Sequence, residues 1–176
     1  MKMNPEKNKT IILHVAQLMC LAARTAPKAR GVDNIVTAII EGKDKDKLIP
    51  LMEKIGRQKN QPHFGRDAKN LEVATIAVLI GTKLEPIGLD YCGFCGVEQT
   101  CEDLIKNKGI CTYNPLDLGI AIGSAVNVAN SHHVDNRVMH SIGYAAIKAG
   151  LLPKSTKIAF GIPLSATGKN PFFDRK

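Results

Sequence analysis

Cysteines are the residues of this chain with the clearest capacity for chemistry, and four of the five cluster in one stretch. They follow the spacing C-x2-C-x5-C-x9-C, and they are Cys92, Cys95, Cys101 and Cys111. A Cys-x-x-Cys turn directs two sulfurs to one point, and a glycine after each of its cysteines lets the backbone curl around what is bound there. Two further cysteines on short tethers complete a site of four sulfurs. The pattern therefore predicts a thiolate site that holds metal or carries out redox chemistry.

Three contents of this site are compatible with the spacing. An iron–sulfur cluster tolerates wide and uneven spacing, because its corners lie further apart than the ligand positions of a single ion. Zinc also binds four thiolates, but structural zinc sites commonly combine two short cysteine knuckles, and this chain has one. A free dithiol would need Cys92 and Cys95 alone. We favour the cluster first, then zinc, then the dithiol.

Length and charge limit the class of protein. The chain has 176 residues and a formal net charge of +8. This length predicts a single domain, residues 1–176, which buries roughly 70% of its unfolded surface and does not need a metal merely to fold. The cysteines would then form an insertion at about 90–112. Aromatic residues are scarce and tryptophan is absent. The hypothesis of a nucleic-acid partner therefore rests on charge alone, and we do not favour it.

The sequence also predicts a compartment. An apolar run at 10–23 follows three lysines, as in a secretory signal, but His14 and Gln17 interrupt it and its apolar residues recur at helical spacing. No stretch approaches the ~20 apolar residues of a membrane span. We therefore expect a cytoplasmic protein with no membrane partner. In that reducing compartment, clustered cysteines indicate metal or redox chemistry rather than disulfides.

Hydrophobic periodicity predicts alternating helices and strands around these cysteines. Buried strands are expected at 34–41, 73–81 and 157–163, with a shorter strand at 138–142. Helices are expected at about 5–24, 44–59 and 144–151, and residues 61–64 are expected to form a loop.

One further helix is predicted at 116–129, directly after the last cysteine of the cluster. It is apolar nearly all round, and pairs of small residues lie four apart in it: Gly119 with Gly123, and Ala121 with Ala125. Such pairs let another backbone approach closely. We expect this helix at the centre of the domain or in a dimer interface.

A loop after the first helix combines Arg24, Lys28 and Arg30 with a proline and a glycine. Cations and free backbone donors in one loop are suited to a phosphate group, although a solvated basic loop explains the same residues equally well. The tail at 164–175, which includes Lys169, is also rich in groups that hold phosphate.

Other polar residues are expected to be structural. Cys20 lies on the first helix, where a single cysteine is most often a small buried hydrophobe. We expect His63 at the surface. Adjacent histidines such as His132 and His133 point apart, so they do not predict a joint metal site. Asp135 belongs to a charged turn that is read as structural.

Several long motifs resemble one known family. These motifs are ARTAPKARGVDN (23–34), LDYCGFCG (89–96), DLGIAIGSAV (117–126), VDNRVM (134–139) and GIPLSATGKNPFFDR (161–175). Together they are similar to an uncharacterised prokaryotic family described as ferredoxin-domain-containing proteins. The resemblance covers nearly the whole chain, and it implies an iron–sulfur cluster on the four clustered cysteines.

A second likeness is to FMN-dependent nitroreductases. The order of an A-P loop ending at Asn34, an Asp-led helix rich in small residues, and a strand ending in G-x-P is similar to theirs. This resemblance implies an α+β homodimer with a central mixed or antiparallel sheet, packed helices and FMN at the interface. The residues it implies for the flavin are Arg24, Lys28, Arg30, Asn34, Lys169 and Arg175.

Taken together, these observations predict an iron–sulfur redox protein, with a cluster expected to be of the 4Fe-4S type and FMN as a further cofactor. It would transfer electrons or reduce a small substrate, with no residue singled out as a general acid or base. The alternative is a zinc-binding structural or interaction protein without redox activity.

Overall fold

The computed structural model describes residues 5–96 and 100–173. Within them, an antiparallel sheet lies between two layers of helices, which confirms the predicted α+β class. The strands are β1 (Ile35–Ile40), β2 (Ile76–Lys83), β3 (Asp135–Asn136) and β4 (Thr156–Ser165). The α-helices are α1 (Pro5–Thr25), α2 (Gly42–Asp46), α3 (Leu48–Gln58), α4 (Pro62–Val73), α5 (Cys101–Lys106), α6 (Tyr113–Ser131) and α7 (His140–Lys148). None of these described helices has the length and apolar character that crossing a membrane requires.

The sheet has the strand order β1-β2-β4-β3, and every neighbouring pair is antiparallel. Strand β2 is central, and its side chains alternate between the two faces, as a pleated strand requires. Ile76, Val78 and Ile80 pack in the core beneath α1 and α6, whereas Ala77 and Leu79 pack in the core beneath α3, α4 and α7. Burial on both faces explains why the strand reads as one continuous apolar run.

Helix α6 packs along α1 and is longer than the predicted 116–129. Its Ala121 and Ala125 are fully buried in the same core as Ala16 of α1, so small side chains line the contact between the two helices. Gly119 and Gly123 are exposed, with open space where a Cβ would stand. Within the single chain, the helix is therefore buried on one face rather than nearly all round.

The prediction of a loop at 61–64 is wrong, because α4 begins there. Pro62 occupies the first turn of the helix, where its missing N–H costs no hydrogen bond. Phe64, Ala68 and Leu71 then form a buried stripe at helical spacing. The proline that indicated a loop is in fact a helix start.

The prediction of a strand at 138–142 is also wrong. Met139 makes a single bridge with Gly161 of β4, and the chain then enters α7. Ile142 and Ala145 are fully buried at helical spacing, so α7 covers the sheet where a further strand was expected.

The predicted charged helix at 44–59 is two helices. α2 and α3 meet at Lys47, which ends the first helix and precedes the second. Leu48, Met52 and Ile55 are buried along α3 and form the inner stripe that the sequence predicts.

Candidate metal centre

The cysteine segment, residues 84–112, connects β2 to α6 and contains α5. The structure brings its four cysteines to one cavity of about 610 Å³. Cys92 and Cys95 lie in irregular backbone, Cys101 is the first residue of α5, and Cys111 precedes α6. Cys111 is buried and the other three are half-buried, so the cavity reaches solvent. All four predicted ligands therefore share one space.

Glycine conformation shapes the turn around the first two cysteines. Gly93 and Gly96 have φ angles of 62° and 75°, a left-handed region that side chains disfavour. Gly96 N–H donates to the carbonyl of Gly93 at 3.0 Å and closes the turn. A Cβ at either position would meet open space. The glycines are thus needed for the backbone path and not for close packing.

The second half of the segment is held by local bonds. Thr100 caps α5, because its hydroxyl accepts the N–H of Asp103 at 3.3 Å. After α5 the chain turns at Gly109, whose N–H donates to the carbonyl of Leu104 at 2.8 Å. A Cβ at Gly109 would lie 2.3 Å from the end of the Leu104 side chain, so a larger residue here would require this buried leucine to move. This turn brings the chain back to Cys111.

A small apolar cluster lies beneath the cavity. Its buried members are Ile87, Leu104 and Cys111, and the half-buried Ala29 and Tyr113 pack against it. Ala29 belongs to the loop after α1, far from the cysteines in sequence. The cysteine segment therefore has its own core, to which the first loop contributes.

Tyr113 places a hydroxyl beside the sulfurs. Burial, together with the charge of Cys92 and the hydrogen bond that Tyr113 makes with it, raises the pKa of the Tyr113 hydroxyl above its ordinary value. The Tyr113 ring stacks on Phe94 with centroids 6.1 Å apart. Thr112 donates its hydroxyl to the Phe94 carbonyl at 3.0 Å. The start of α6 is thereby joined to the Cys-x-x-Cys turn.

Arg30 and Asp117 connect the first loop to the cysteine segment and to α6. The Arg30 guanidinium donates to the carbonyls of Ile87 (3.4 Å) and Gly88 (2.9 Å), two residues that line the cavity. The buried carboxylate of Asp117 accepts the N–H of Ala29 with its two oxygens, at 3.2 and 3.1 Å. Both contacts join residues far apart in sequence.

Two buried asparagines converge on one carbonyl at the start of the segment. Asn34 and Asn114 each donate their side-chain amide to the Glu85 carbonyl, at 3.5 and 3.0 Å. They are 4% and 1% exposed. The Asn114 N–H donates to the Cys111 carbonyl at 3.0 Å, so the same residue touches both ends of the segment.

The other predicted phosphate ligands of the first loop also have partners within the chain. Arg24 forms an ion pair with Asp33. Lys28 is 5% exposed at its side chain and donates to the carbonyls of Arg24 (2.6 Å) and Ala26 (2.9 Å). Burial alone would raise the pKa of Asp33, but bonds from Arg24 and the Ile35 amide and the nearby cations lower it. In this chain the loop's cations are used internally.

The tail contributes less to this picture. The Lys169 carbonyl accepts the Thr167 hydroxyl at 2.6 Å. Arg175 lies outside the described residues. The structure therefore brings the four cysteines together, whereas the five described flavin candidates do not line either of the two described cavities.

The residues expected to be structural have structural places. Cys20 is half-buried in the core beneath α1; burial raises the pKa of its thiol, against the effect of a hydrogen bond with Thr37. His63 is half-buried, rather than at the surface, and packs on the rings of Phe64 and His140. No three described His, Cys, Asp or Glu side chains form a group that could hold a metal ion, and this applies to the four cysteines as well as to His132 and His133.

Tyr113, Asn114 and Asp117 are the site residues that the sequence did not single out. Each lies in the first two turns of α6, and each contacts a residue that is distant in sequence or at the far side of the cavity. The signal available in the sequence was that polar residues recur near the start of an otherwise apolar helix. Its partners could not be read from the sequence.

Comparison with known sequences identifies relatives. A family model described as "Uncharacterized protein containing a ferredoxin domain" matches residues 107–175. A protein of Archaeoglobus fulgidus, described as "Uncharacterized protein", is 37% identical over 169 residues. That match covers 91% of this chain and 89% of the archaeal protein.

Comparison with solved structures identifies the fold. Nitroreductase CinD from Lactococcus lactis, in complex with nicotinic acid, gives a TM-score of 0.59 at 15% identity, covering 98% of this chain and 86% of its own. The FMN-dependent nitroreductase NfnB from Mycobacterium smegmatis, in complex with NADPH, gives 0.60 at 11%, covering 89% and 78%. The NADPH:FMN oxidoreductase from Vibrio harveyi, complexed with NAD+, gives 0.56 at 13%, covering 93% and 63%. The chain has the nitroreductase fold.

Proposed function

This chain belongs to the family of uncharacterised proteins that contain a ferredoxin domain, and on that premise we propose that it is an iron–sulfur redox protein. Its four clustered cysteines would hold the cluster. The observation that carries the proposal is that residues spread over the whole cysteine segment line one cavity of about 610 Å³. The protein would transfer electrons or reduce a small substrate, and we place it in the cytoplasm, where thiols remain reduced.

The spacing of the cysteines, with one short knuckle and two wider intervals, favours a cluster over zinc. A single zinc ion needs four ligands within about 2.3 Å of one point. Among the described residues, no three Cys, His, Asp or Glu side chains form a group that would hold such an ion. A cluster distributes its ligands over separate corners. The four cysteines line one cavity from separate parts of the segment, which is compatible with that requirement.

The residues around the cavity have definable tasks. The four thiolates would hold the metal, and a bound cluster would supply one-electron transfer. Tyr113 lies beside Cys92, and its hydroxyl would donate to that sulfur and offset its negative charge. Ile87 and Leu104 form an apolar wall of the cavity. Tyr91 and Phe94 line the same cavity and are exposed, so the open side of the site is aromatic.

FMN is a second candidate cofactor. The fold that this chain shares with FMN-dependent nitroreductases favours FMN. The described loop residues do not fit the role predicted for them. Arg24, Lys28, Arg30 and Asn34 already bond to groups of this chain. We therefore assign no chemistry to a flavin.

The test is an absorbance spectrum of protein purified without oxygen, with iron, sulfide and zinc assayed on the same sample. We expect a broad sulfur-to-iron band at roughly 400 nm and about four irons per chain for a 4Fe-4S cluster, against about two for a 2Fe-2S cluster. The Cys92→Ser variant should lose the band. Cys20→Ala is the matched control, because Cys20 lies in the core beneath α1, and it should keep the band.

Other outcomes separate the alternatives. A colourless protein with one zinc per chain would refute the redox proposal and support a zinc-binding structural or interaction protein. A colourless protein without metal would leave the Cys92–Cys95 dithiol. A structured flavin band beside the cluster band would establish the second cofactor. The iron–sulfur proposal and the zinc alternative predict different metal contents and spectra, so a single preparation decides between them.

A further inference from the structure

We propose that the basic loop at 26–34 is an internal clamp that positions the cysteine segment, and that it is not a phosphate-binding loop. The inference rests on the proposed function in so far as the clamped segment is the one that would hold the cluster. It concerns four positioning residues that meet at the two ends of the segment: Arg30, Asn34, Asn114 and Asp117.

The first step is the contact between the loop and the start of the segment. Arg30 reaches the carbonyls of Ile87 and Gly88, and Asn34 reaches the carbonyl of Glu85. The Lys83 N–H also donates to the Asn34 carbonyl at 3.1 Å. The carbonyls of Glu85, Ile87 and Gly88 lie in the stretch that leaves β2 and leads into the wall of the cavity. The loop therefore fixes where the segment leaves the sheet.

The second step is the connection to the end of the segment. Asp117 holds the Ala29 N–H, and Asn114 holds the Glu85 carbonyl and donates its own N–H to the Cys111 carbonyl. Both residues are at most 5% exposed. A buried carboxylate or amide that loses its partner costs far more than an exposed one. The start of α6, the loop and both ends of the segment are thus tied into one unit.

Packing supports the same unit. Ala29 and Cys95 pack against the apolar cluster of Ile87, Leu104 and Cys111. Ala29 of the loop therefore contacts the same small apolar cluster as Cys95 and Cys111. Polar and apolar contacts agree in holding the loop against the cavity.

Use of the cations within the chain is the reason to set phosphate binding aside. Arg30 donates to neutral carbonyls on the wall of the cavity, and Lys28 is 5% exposed beneath carbonyls at the end of α1. A phosphate would have to displace these partners. The residues that the sequence predicts for an anion hold the backbone instead.

The experiment uses Arg30→Ala, Arg30→Gln and Arg24→Ala in the full chain. Arg24 is the matched control, because it lies beside the same loop and pairs with Asp33 instead of the segment. The first measurement is the rate at which the band at roughly 400 nm bleaches in the presence of a chelator, without oxygen. Direct outer-shell partners of metal ligands typically contribute about tenfold or more to metal affinity, and Arg30 acts one step further out, through the backbone that leads to Cys92. We therefore expect Arg30→Ala to bleach roughly threefold faster than the parent and Arg24→Ala to bleach at the parent rate.

Arg30→Gln separates a clamp from a phosphate ligand. Glutamine keeps an N–H donor for the neutral carbonyls but removes the charge that a phosphate needs. A clamp therefore predicts that Arg30→Gln bleaches more slowly than Arg30→Ala. In the same variants, titration with FMN should give the same result as with the parent. Binding of FMN to the parent that is lost in Arg30→Gln and in Arg24→Ala would overturn the inference.

A second readout does not depend on a cluster. Hydrogen–deuterium exchange on the proteins as purified should be faster in residues 85–96 of Arg30→Ala, with the melting temperature lowered by less than about 4 °C. If the parent holds no iron, the proposed function fails and this exchange still decides on the clamp. Equal exchange in Arg30→Ala, Arg24→Ala and the parent would refute the clamp, whatever the iron content.

Discussion

At the scale of single residues, the sulfurs can be predicted and their neighbours cannot. Thiolate chemistry is carried by residue type and spacing, so the four cysteines form a recognisable set in the sequence itself. Tyr113 matters only because the fold brings its hydroxyl to Cys92. Iron–sulfur potentials depend on hydrogen bonds to the sulfurs and on exposure to solvent. Tyr113, which the sequence did not single out, is therefore the residue that we expect to tune the reduction potential of the proposed cluster.

Replacing Tyr113 by phenylalanine should make the reduction potential of the cluster more negative, by tens of millivolts in order of magnitude. Reduction adds negative charge to the cluster, and a hydroxyl that donates to a ligand sulfur stabilises that charge. The Phe94 stack would remain, because the ring is retained. The measurement is a spectroelectrochemical titration of parent and variant.

Tyr91→Phe provides the control for this prediction. Tyr91 also lines the cavity, but its side chain is fully exposed. Removal of the Tyr91 hydroxyl should leave the reduction potential of the cluster at the parent value. Equal potentials for Tyr113→Phe and the parent would show that the bond to Cys92 does not tune the site.

At the scale of elements, the most demanding contact is the one between α7 and β4. A Cβ on Gly143 of α7 would stand 2.0 Å from the Ala159 carbonyl oxygen in β4. Backbone on both sides leaves no flexible side chain to move aside. Glycine is therefore required here by close approach, since its φ is not in the left-handed region.

Gly143→Ala should lower the free energy of unfolding by about 3 kcal/mol, because α7 would have to move away from the sheet. Gly65→Ala is the control: it also lies in a helix, α4, but its Cβ would meet open space. That change should be neutral or stabilise by up to about 1 kcal/mol. Urea denaturation of both variants checks the prediction, and similar midpoints would contradict it.

The wrong assignments at this scale share one physical cause. Pro62 carries a local signal that fits either a loop or a helix start, and the short segment at 138–142 fits either a strand or a helix. Tertiary packing decides between them, because Phe64 of α4 and Ile142 of α7 are buried in the same core on one face of the sheet. Longer elements, such as β2 and α6, were predictable because their patterns extend over several turns or residues.

At the scale of the whole molecule, the outer surface of α6 exposes apolar side chains. Leu116 and Ile120 of α6 are 51% and 38% exposed, and they lie on the side where Gly119 and Gly123 leave open space. Two apolar side chains one turn apart, flanked by exposed glycines, form a surface that another helix can approach closely. The described chain alone leaves this face uncovered.

We predict that two copies pair through this face of α6. Twofold dimers are the commonest assemblies, and in such a dimer each substitution appears twice in the interface. Ile120→Lys should therefore weaken association roughly a hundredfold or more, since two buried charges cost at least about 3 kcal/mol together. Sedimentation equilibrium over a range of concentrations measures the constant. Val73→Lys is the control, because Val73 is 58% exposed on α4, which covers the opposite face of the sheet. A monomeric parent, or equal weakening by both variants, would show that α6 is not the interface.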